Sequence, residues 1–404
     1  MTRKLQQNAA DLRGINQLII AGIAGIVDLV EAMHHNIAGV PRLLATPKRE
    51  RTTGITRLVY QSIRGVVGLV GHGLDRLLAQ FEPLLGERSA LAGREAPLAA
   101  LNGVLGDYLA ASKNPLAITM SLRRGGVPLP TEGEALTAAI PRASGKLVVL
   151  LHGLCMNDLQ WKRKGHDHGA ALARDLAYTP VYLHYNTGLH ISINGRALAE
   201  LIEKMVQLWP VPLTEFVLIG HSMGGLVARS ACHYGARARH QWLRRLDRLL
   251  LIGSPHHGAP LEQGGNWVDA LLRASQYSAP LARLGKIRSA GITDLRFGSL
   301  VDEDWKKRDR FERSGSRLAV PLPKGVACYA IAGTIAKKGG RLRERFIGDG
   351  IVTLESALGR HANPKLALRF DSSRRWVAYG AGHLDLLSRP EVYAQIKRWL
   401  AAPA

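Results

Sequence analysis

The decapeptide Phe216-Val217-Leu218-Ile219-Gly220-His221-Ser222-Met223-Gly224-Gly225 decides the reading of this chain. Apolar residues lead into Gly-x-Ser-x-Gly, and Leu226-Val227-Ala228-Arg229-Ser230-Ala231 continue with helical character. Strand, tight turn and helix in that order form a nucleophile elbow, a strained turn that lifts a serine hydroxyl out of a sheet. Small residues must flank such a turn, and Gly220 and Gly224 supply them. Gly225 lets the helix pack close to the sheet. The helix N-terminus favours negative charge developing beside Ser222.

A serine hydroxyl needs a base within hydrogen-bond reach and a group that orients the base. Behind an elbow of this kind the chain order is serine, acid, histidine. Two late segments fit. Phe346-Ile347-Gly348-Asp349-Gly350-Ile351-Val352 sets an aspartate on a glycine turn, and Tyr379-Gly380-Ala381-Gly382-His383-Leu384 sets a histidine in a glycine-rich loop after a strand. Asp349 is the first candidate acid, with Asp371, Asp294 and Asp304 as alternatives. His383 is the candidate base. His256 and His257 precede the acid, His221 lies inside the elbow, and His152 reads as structural. Two backbone N–H groups are needed for the oxyanion, and Met223 and Leu154 occupy the expected places.

Around these residues the chain alternates strand and helix. Lys146–Leu151 is a continuous apolar run, as expected of a strand covered on both faces. His168–Leu176 reads as helix, Val181–Tyr185 as strand, Ile193–Trp209 as helix, Glu215–Gly220 as the elbow strand, Met223–Tyr234 as helix and Leu246–Ile252 as strand. Val326–Gly333 and Arg375–Tyr379 are further strands, and Val392–Leu400 is a closing helix. Ala117–Leu122, with Val127 and Leu129 beyond Gly125-Gly126, reads as an edge strand or hairpin. This βα alternation predicts an α/β class, a doubly wound, mostly parallel sheet.

Residues 116–404 form the expected catalytic domain. Within it, residues 253–322 break the rhythm and are the candidate cap, with a short helix over Trp267–Ala274. Residues 1–115 read as a helical extension. Leu12, Ile15, Ile19, Ile23, Ile26 and Val30 begin one apolar stripe, and Ile55, Leu58, Ile63, Val66, Val70 and Leu74 mark a second. Together they predict an αα-hairpin, followed by a third helix over Pro97–Ala111. The glycines dotted along both stripes each cost about 1 kcal/mol against alanine, which suggests close packing. The hairpin is expected to cover the catalytic domain or form a dimer contact; lying on a lipid surface is the alternative.

The chain has 404 residues, with 54 Lys and Arg against 32 Asp and Glu, a formal charge of +22. The basic residues are scattered and no nucleic-acid recognition motif accompanies them, so no nucleic-acid partner is expected. Attraction to acidic lipid is consistent with the charge. The 3 cysteines, Cys155, Cys232 and Cys328, lack metal-ligand spacing, and their odd number argues against a disulfide framework. Leu18–Val27 is short for a membrane span, and the acids around it do not fit a cleaved leader. A cytoplasmic protein, peripherally membrane-associated at most, is expected, with no cofactor and no metal. Oligomeric state is not legible.

The catalytic half resembles the α/β-hydrolase superfamily, and within it the serine lipases and esterases related to bacterial triacylglycerol lipases and to GPI-inositol-deacylase-like proteins. Leu151-His152-Gly153-Leu154, Gly220-His221-Ser222-Met223-Gly224-Gly225, Gly253-Ser254-Pro255-His256-His257-Gly258, Asp349-Gly350-x-Val352 and Gly382-His383-Leu384-Asp385 carry the likeness. It implies a triad of Ser222, Asp349 and His383, with Leu154 and Met223 as the oxyanion hole. Asp385 matches a position that helps hold calcium in some bacterial lipases, but no partner set accompanies it. The expected function is serine carboxylic-ester hydrolysis through an acyl-serine, on acyl esters that include lipids and polyesters. Acyl transfer by the same triad and a non-catalytic lipid- or partner-binding module are the alternatives.

Overall fold

The computed structural model describes residues 13, 14, 16, 17, 92–258, 289–306, 317–337 and 348–402. The chain divides into a unit of residues 1–89 with 111–117, and a second of residues 90–110 with 118–404. In the first unit, Asn114 Nδ2 donates to Gly14 O at 3.0 Å and Asn114 Oδ1 accepts from Leu116 N at 2.9 Å. Almost all of the two N-terminal stripes, and the Trp267–Ala274 helix, lie outside the described residues. No helix among the described residues is long and apolar enough to cross a membrane.

The second unit is built on an 8-stranded sheet of order β2-β1-β4-β3-β5-β6-β7-β8. Its strands are β1 (Ser121–Arg124), β2 (Val127–Pro128), β3 (Lys146–Leu151), β4 (Thr179–His184), β5 (Glu215–His221), β6 (Arg248–Ile252), β7 (Ala327–Thr334) and β8 (Arg375–Tyr379). From β4 to β8 every neighbouring pair is parallel, while β1 runs antiparallel to both β2 and β4. Crossovers run through α3 (His168–Leu176), α4 (Ile191–Gln207) and α5 (Met223–Arg237), after α1 (Ala92–Ala111) and α2 (Gly133–Ala139); α6 (Ala290–Phe297) and α7 (Pro390–Ala401) follow.

Alternation along the strands divides the core in two. Leu147, Val149 and Leu151 of β3 and Phe216 and Leu218 of β5 pack with Leu198, Leu226 and Val227 of α4 and α5. Val148, Leu150, Val217 and Ile219 face the other way, onto Trp161, Leu172, Ile396 and Trp399. Burial on both faces explains why β3, β5 and β6 read as unbroken apolar runs. The parallel strands end together, so the loops after β3, β5, β6, β7 and β8 gather along one edge.

The helix read from sequence as Pro97–Ala111 starts at Ala92, with Pro97 inside it. Its residues up to 110 belong to the second unit. Asn102 Oδ1 accepts from Ile118 N at 2.9 Å, and Gly106 O accepts from Asn186 Nδ2 at 2.9 Å. The helix carries no strong amphipathic signal, because its buried positions include Asn102, Gly103 and Gly106 beside Ala99, Ala100, Val104 and Leu109, while its exposed ones include Pro97 and Tyr108.

Candidate active site

Ser222 sits at the β5–α5 junction with φ 54° and ψ −122°, a conformation that side chains other than glycine adopt only under constraint. The constraint comes from both sides. Ser222 N donates to Ile252 O at 2.8 Å, and Gly225 N donates to Ser222 O at 3.1 Å. Behind the turn, a Cβ on Gly224 would fall 2.3 Å from Leu151 O, so only glycine lets α5 approach β3 this closely.

Asp349 and His383, 34 residues apart, are joined by a 2.7 Å hydrogen bond between Asp349 Oδ2 and His383 Nδ1. A carboxylate oxygen accepts, so Nδ1 carries the hydrogen and Nε2 presents its lone pair. The other carboxylate oxygen accepts from Val352 N at 2.7 Å and Ile351 N at 3.0 Å, and Asp349 O accepts from His383 N at 3.0 Å. Ser222, Asp349 and His383 are 2%, 3% and 5% exposed, so the pair is screened little by solvent. His383 Nε2 is buried and has no protein hydrogen-bond partner.

The elbow and this pair lie side by side. The His221 ring centroid lies 4.8 Å from that of His383. Gly253, next to the Ile252 carbonyl that holds Ser222, has φ 58°, and a Cβ there would fall 3.4 Å from both Asp349 Oδ2 and His383 Cε1. On the opposite side, a Cβ on Gly153 would lie 3.1 Å from Ser222 Cβ, placing the loop after β3 against the serine. Leu154 and Met223 are buried, and among the described residues neither backbone N–H meets a protein acceptor. Cys155, next in the chain, has φ 59°; its N–H donates to Thr187 Oγ1 at 3.2 Å and its thiol rests against Ala100 O of α1.

The alternative acids are engaged elsewhere. Asp371 caps a short turn through Ser373 N at 3.1 Å. Asp294 accepts from His190 Nδ1 at 3.0 Å and from Ile191 N at 2.8 Å, at the start of α4. Asp304 accepts from the amides of Leu300, Val301 and Leu318. Among the other histidines, His152 donates from Nδ1 to Gly153 O at 2.9 Å, and burial pushes its pKa down to about 3. His256 is buried against Arg229, which lies 3.4 Å from its Nδ1, and His257 packs against Arg317. Asp385 accepts from Lys164 Nζ at 2.8 Å and from Gly382 N at 3.2 Å, so its carboxylate is neutralised by a side chain and closes the turn that carries His383.

One buried polar cluster has no counterpart in the sequence reading. Glu95 of α1, Asp158 and His184 place ligand-type atoms within 4.8 Å of one another. Arg123 of β1 bridges the two carboxylates, at 3.0 Å to Glu95 Oε2 and 3.4 Å to Asp158 Oδ1, and His184 Nδ1 lies 3.1 Å from Asp158 Oδ1. The guanidinium lies between the two carboxylates and contributes one positive charge to the cluster.

Residues 142–325 match the family model of the PGAP1-like alpha/beta domain. This chain has an α/β-hydrolase fold. Its strand order from β4 to β8, the antiparallel strand beside β4 and the position of Ser222 after β5 are those of that fold. The α/β-hydrolase chain is also similar to solved structures. The Bacillus licheniformis lipase BlEst2 in mature form is 20% identical, with 64% of this chain and 92% of that one covered at a TM-score of 0.40. A thermophilic esterase from Thermogutta terrifontis is 16% identical over 64% and 90% of the two chains, TM-score 0.34. The RedJ thioesterase of Streptomyces coelicolor is 18% identical over 65% and 90%, TM-score 0.35. No curated protein sequence matches the α/β-hydrolase chain.

Proposed function

We propose that this α/β-hydrolase is a serine carboxylic-ester hydrolase working through an acyl-serine. The observation that carries the reading is the buried Asp349–His383 hydrogen bond, which leaves the other imidazole nitrogen free beside the elbow. His383 Nε2 takes the Ser222 proton as Oγ attacks the ester carbonyl, and Asp349 holds the imidazole and steadies the imidazolium. Leu154 and Met223 N–H groups receive the tetrahedral oxyanion. His383 then protonates the leaving alcohol. In the second half it takes a proton from water, whose oxygen attacks the acyl-serine, and returns that proton to Ser222.

The experiment is Ser222→Ala with a chromogenic acyl ester and with a fluorophosphonate label. Both signals should be lost in the variant, and undiminished hydrolysis would remove Ser222 from the mechanism. Chain-length series from soluble esters to emulsified triglycerides, phospholipids and polyesters identify the acyl group. Added alcohols distinguish hydrolysis from acyl transfer, since a transferase yields new esters in preference to free acid.

A further inference from the structure

The short turn His383–Leu387 is held from behind by two other histidines. His221 Nε2 lies 3.2 Å from His383 O, and His168 Nε2 lies 2.9 Å from Leu386 O. A carbonyl oxygen only accepts, so both of these ring nitrogens carry hydrogen. In a neutral ring the remaining nitrogen is an acceptor, and His168 Nδ1 lies 2.8 Å from His166 Nε2, which must then be the donor. The tautomers of the row His166, His168, Leu386 O are thereby fixed. Burial pushes the pKa of His168 down to about 4 and that of His221 well below the usual range, so both are neutral at pH 7. Trp161 packs edge-on against both rings, at 6.4 Å in each case, and fills the space between α3 and the elbow.

Asp349 anchors only one nitrogen of His383, and a ring held at one nitrogen still swings with its backbone. We propose that His168, acting with His221, is a positioning residue that aims His383 Nε2 by pinning the carbonyls at both ends of its turn. This rests on the reading of His383 as the base. The donor to the far end comes from 218 residues earlier in the chain, on the first turn of α3. A misplacement of about 1 Å at such a site costs about 100-fold in rate.

The test uses the full-length chain, with p-nitrophenyl butyrate as probe, and compares His168→Leu, His168→Gln and His168→Asn. The Gln amide reaches the place of Nε2 and the Asn amide does not. With His168→Leu, kcat should fall about 10–100-fold at nearly constant KM. The low-field proton resonance of the His383–Asp349 hydrogen bond should shift or broaden. With His168→Gln, both should recover. If His168→Leu fails to fold, the Gln and Asn variants decide, with Asn expected to have the lower kcat. Equal kcat in Gln and Asn, or wild-type kcat and an unmoved resonance in Leu, overturns the positioning role. Failure of a fluorophosphonate to label Ser222 in the wild-type chain would instead overturn the reading of the site itself.

Discussion

Asp349 divides its two oxygens between a histidine and its own turn. One accepts from His383, and the other accepts from the amides that close its glycine turn. In Asp349→Asn the amide can keep the turn, but its NH2 group opposes the Nδ1–H tautomer. We expect kcat to fall on the order of 10³–10⁴-fold with a small change in KM, measured in steady-state ester hydrolysis. A second prediction at this scale concerns acid. Burial lowers the pKa of His152 to about 3 and of His168 to about 4, whereas both titrate near about 6.5 when unfolded. Between pH ~6.5 and ~4 the unfolded chain binds these protons and the native chain does not, so stability falls as pH falls through that window. Urea midpoints at pH 7.5 and pH 5 should differ less for His168→Gln than for the wild-type chain, because one of the two groups is gone.

Among the elements, α1 most changes the picture of the catalytic unit. It lies over the loop that follows Leu154 and is tied to the sheet edge by Glu95–Arg123 and to α6 by Ser289 Oγ, which donates to Gly103 O at 2.6 Å. Arg123 lies within ion-pair distance of both Glu95 and Asp158, as does His184, and the two carboxylates are 5% and 2% exposed. Arg123→Ala removes the guanidinium that bridges the two buried acids. It should destabilise the chain by about 3–5 kcal/mol in urea unfolding. Asp158 opens the turn that follows Leu154, so if Leu154 N–H receives the oxyanion as proposed, residual activity should also show a reduced kcat. None of this could be read from Pro97–Ala111 as a sequence. A helix that buries an asparagine and glycines and exposes a proline and a tyrosine shows no apolar stripe, and a glutamate or arginine has no pattern that names its partner.

At the scale of the molecule, charge and topology answer different questions. The alternation of strands and helices follows from where apolar runs fall along the chain, and the scattered basic residues do not alter it. The +22 formal charge bears on surfaces. We propose that the chain associates with acidic lipid surfaces through its basic residues and its N-terminal segment. Co-sedimentation should be strong with vesicles rich in anionic phospholipid, weak with zwitterionic ones, and reduced as salt rises from 50 to 300 mM. Deletion of residues 1–85 should weaken it. Salt-independent binding, or equal binding to both vesicle types, would count against an electrostatic contact.

What the sequence determined by itself is local or periodic. The strand–turn–helix of Phe216 to Ala231, the valine- and leucine-rich run of β3 and the glycine turns around Asp349 and His383 impose their conformation over a few residues, so they can be recognised without neighbours. That Asp349, rather than Asp294, Asp304 or Asp371, meets His383 was decided by the tertiary structure. Four aspartates follow the elbow as candidates, and only the register of β7 beside β8 brings one of them to the imidazole. The same holds for His168 and His221 behind the base, and for Arg123 between Glu95 and Asp158. Their partners lie 28 to 218 residues away, and a buried polar atom finds its hydrogen bond only when the sheet has set those distant loops side by side. Ser222 needs both levels. Its elbow is written into ten consecutive residues, and its place near the Asp349–His383 pair depends on strands that close the sheet more than a hundred residues later.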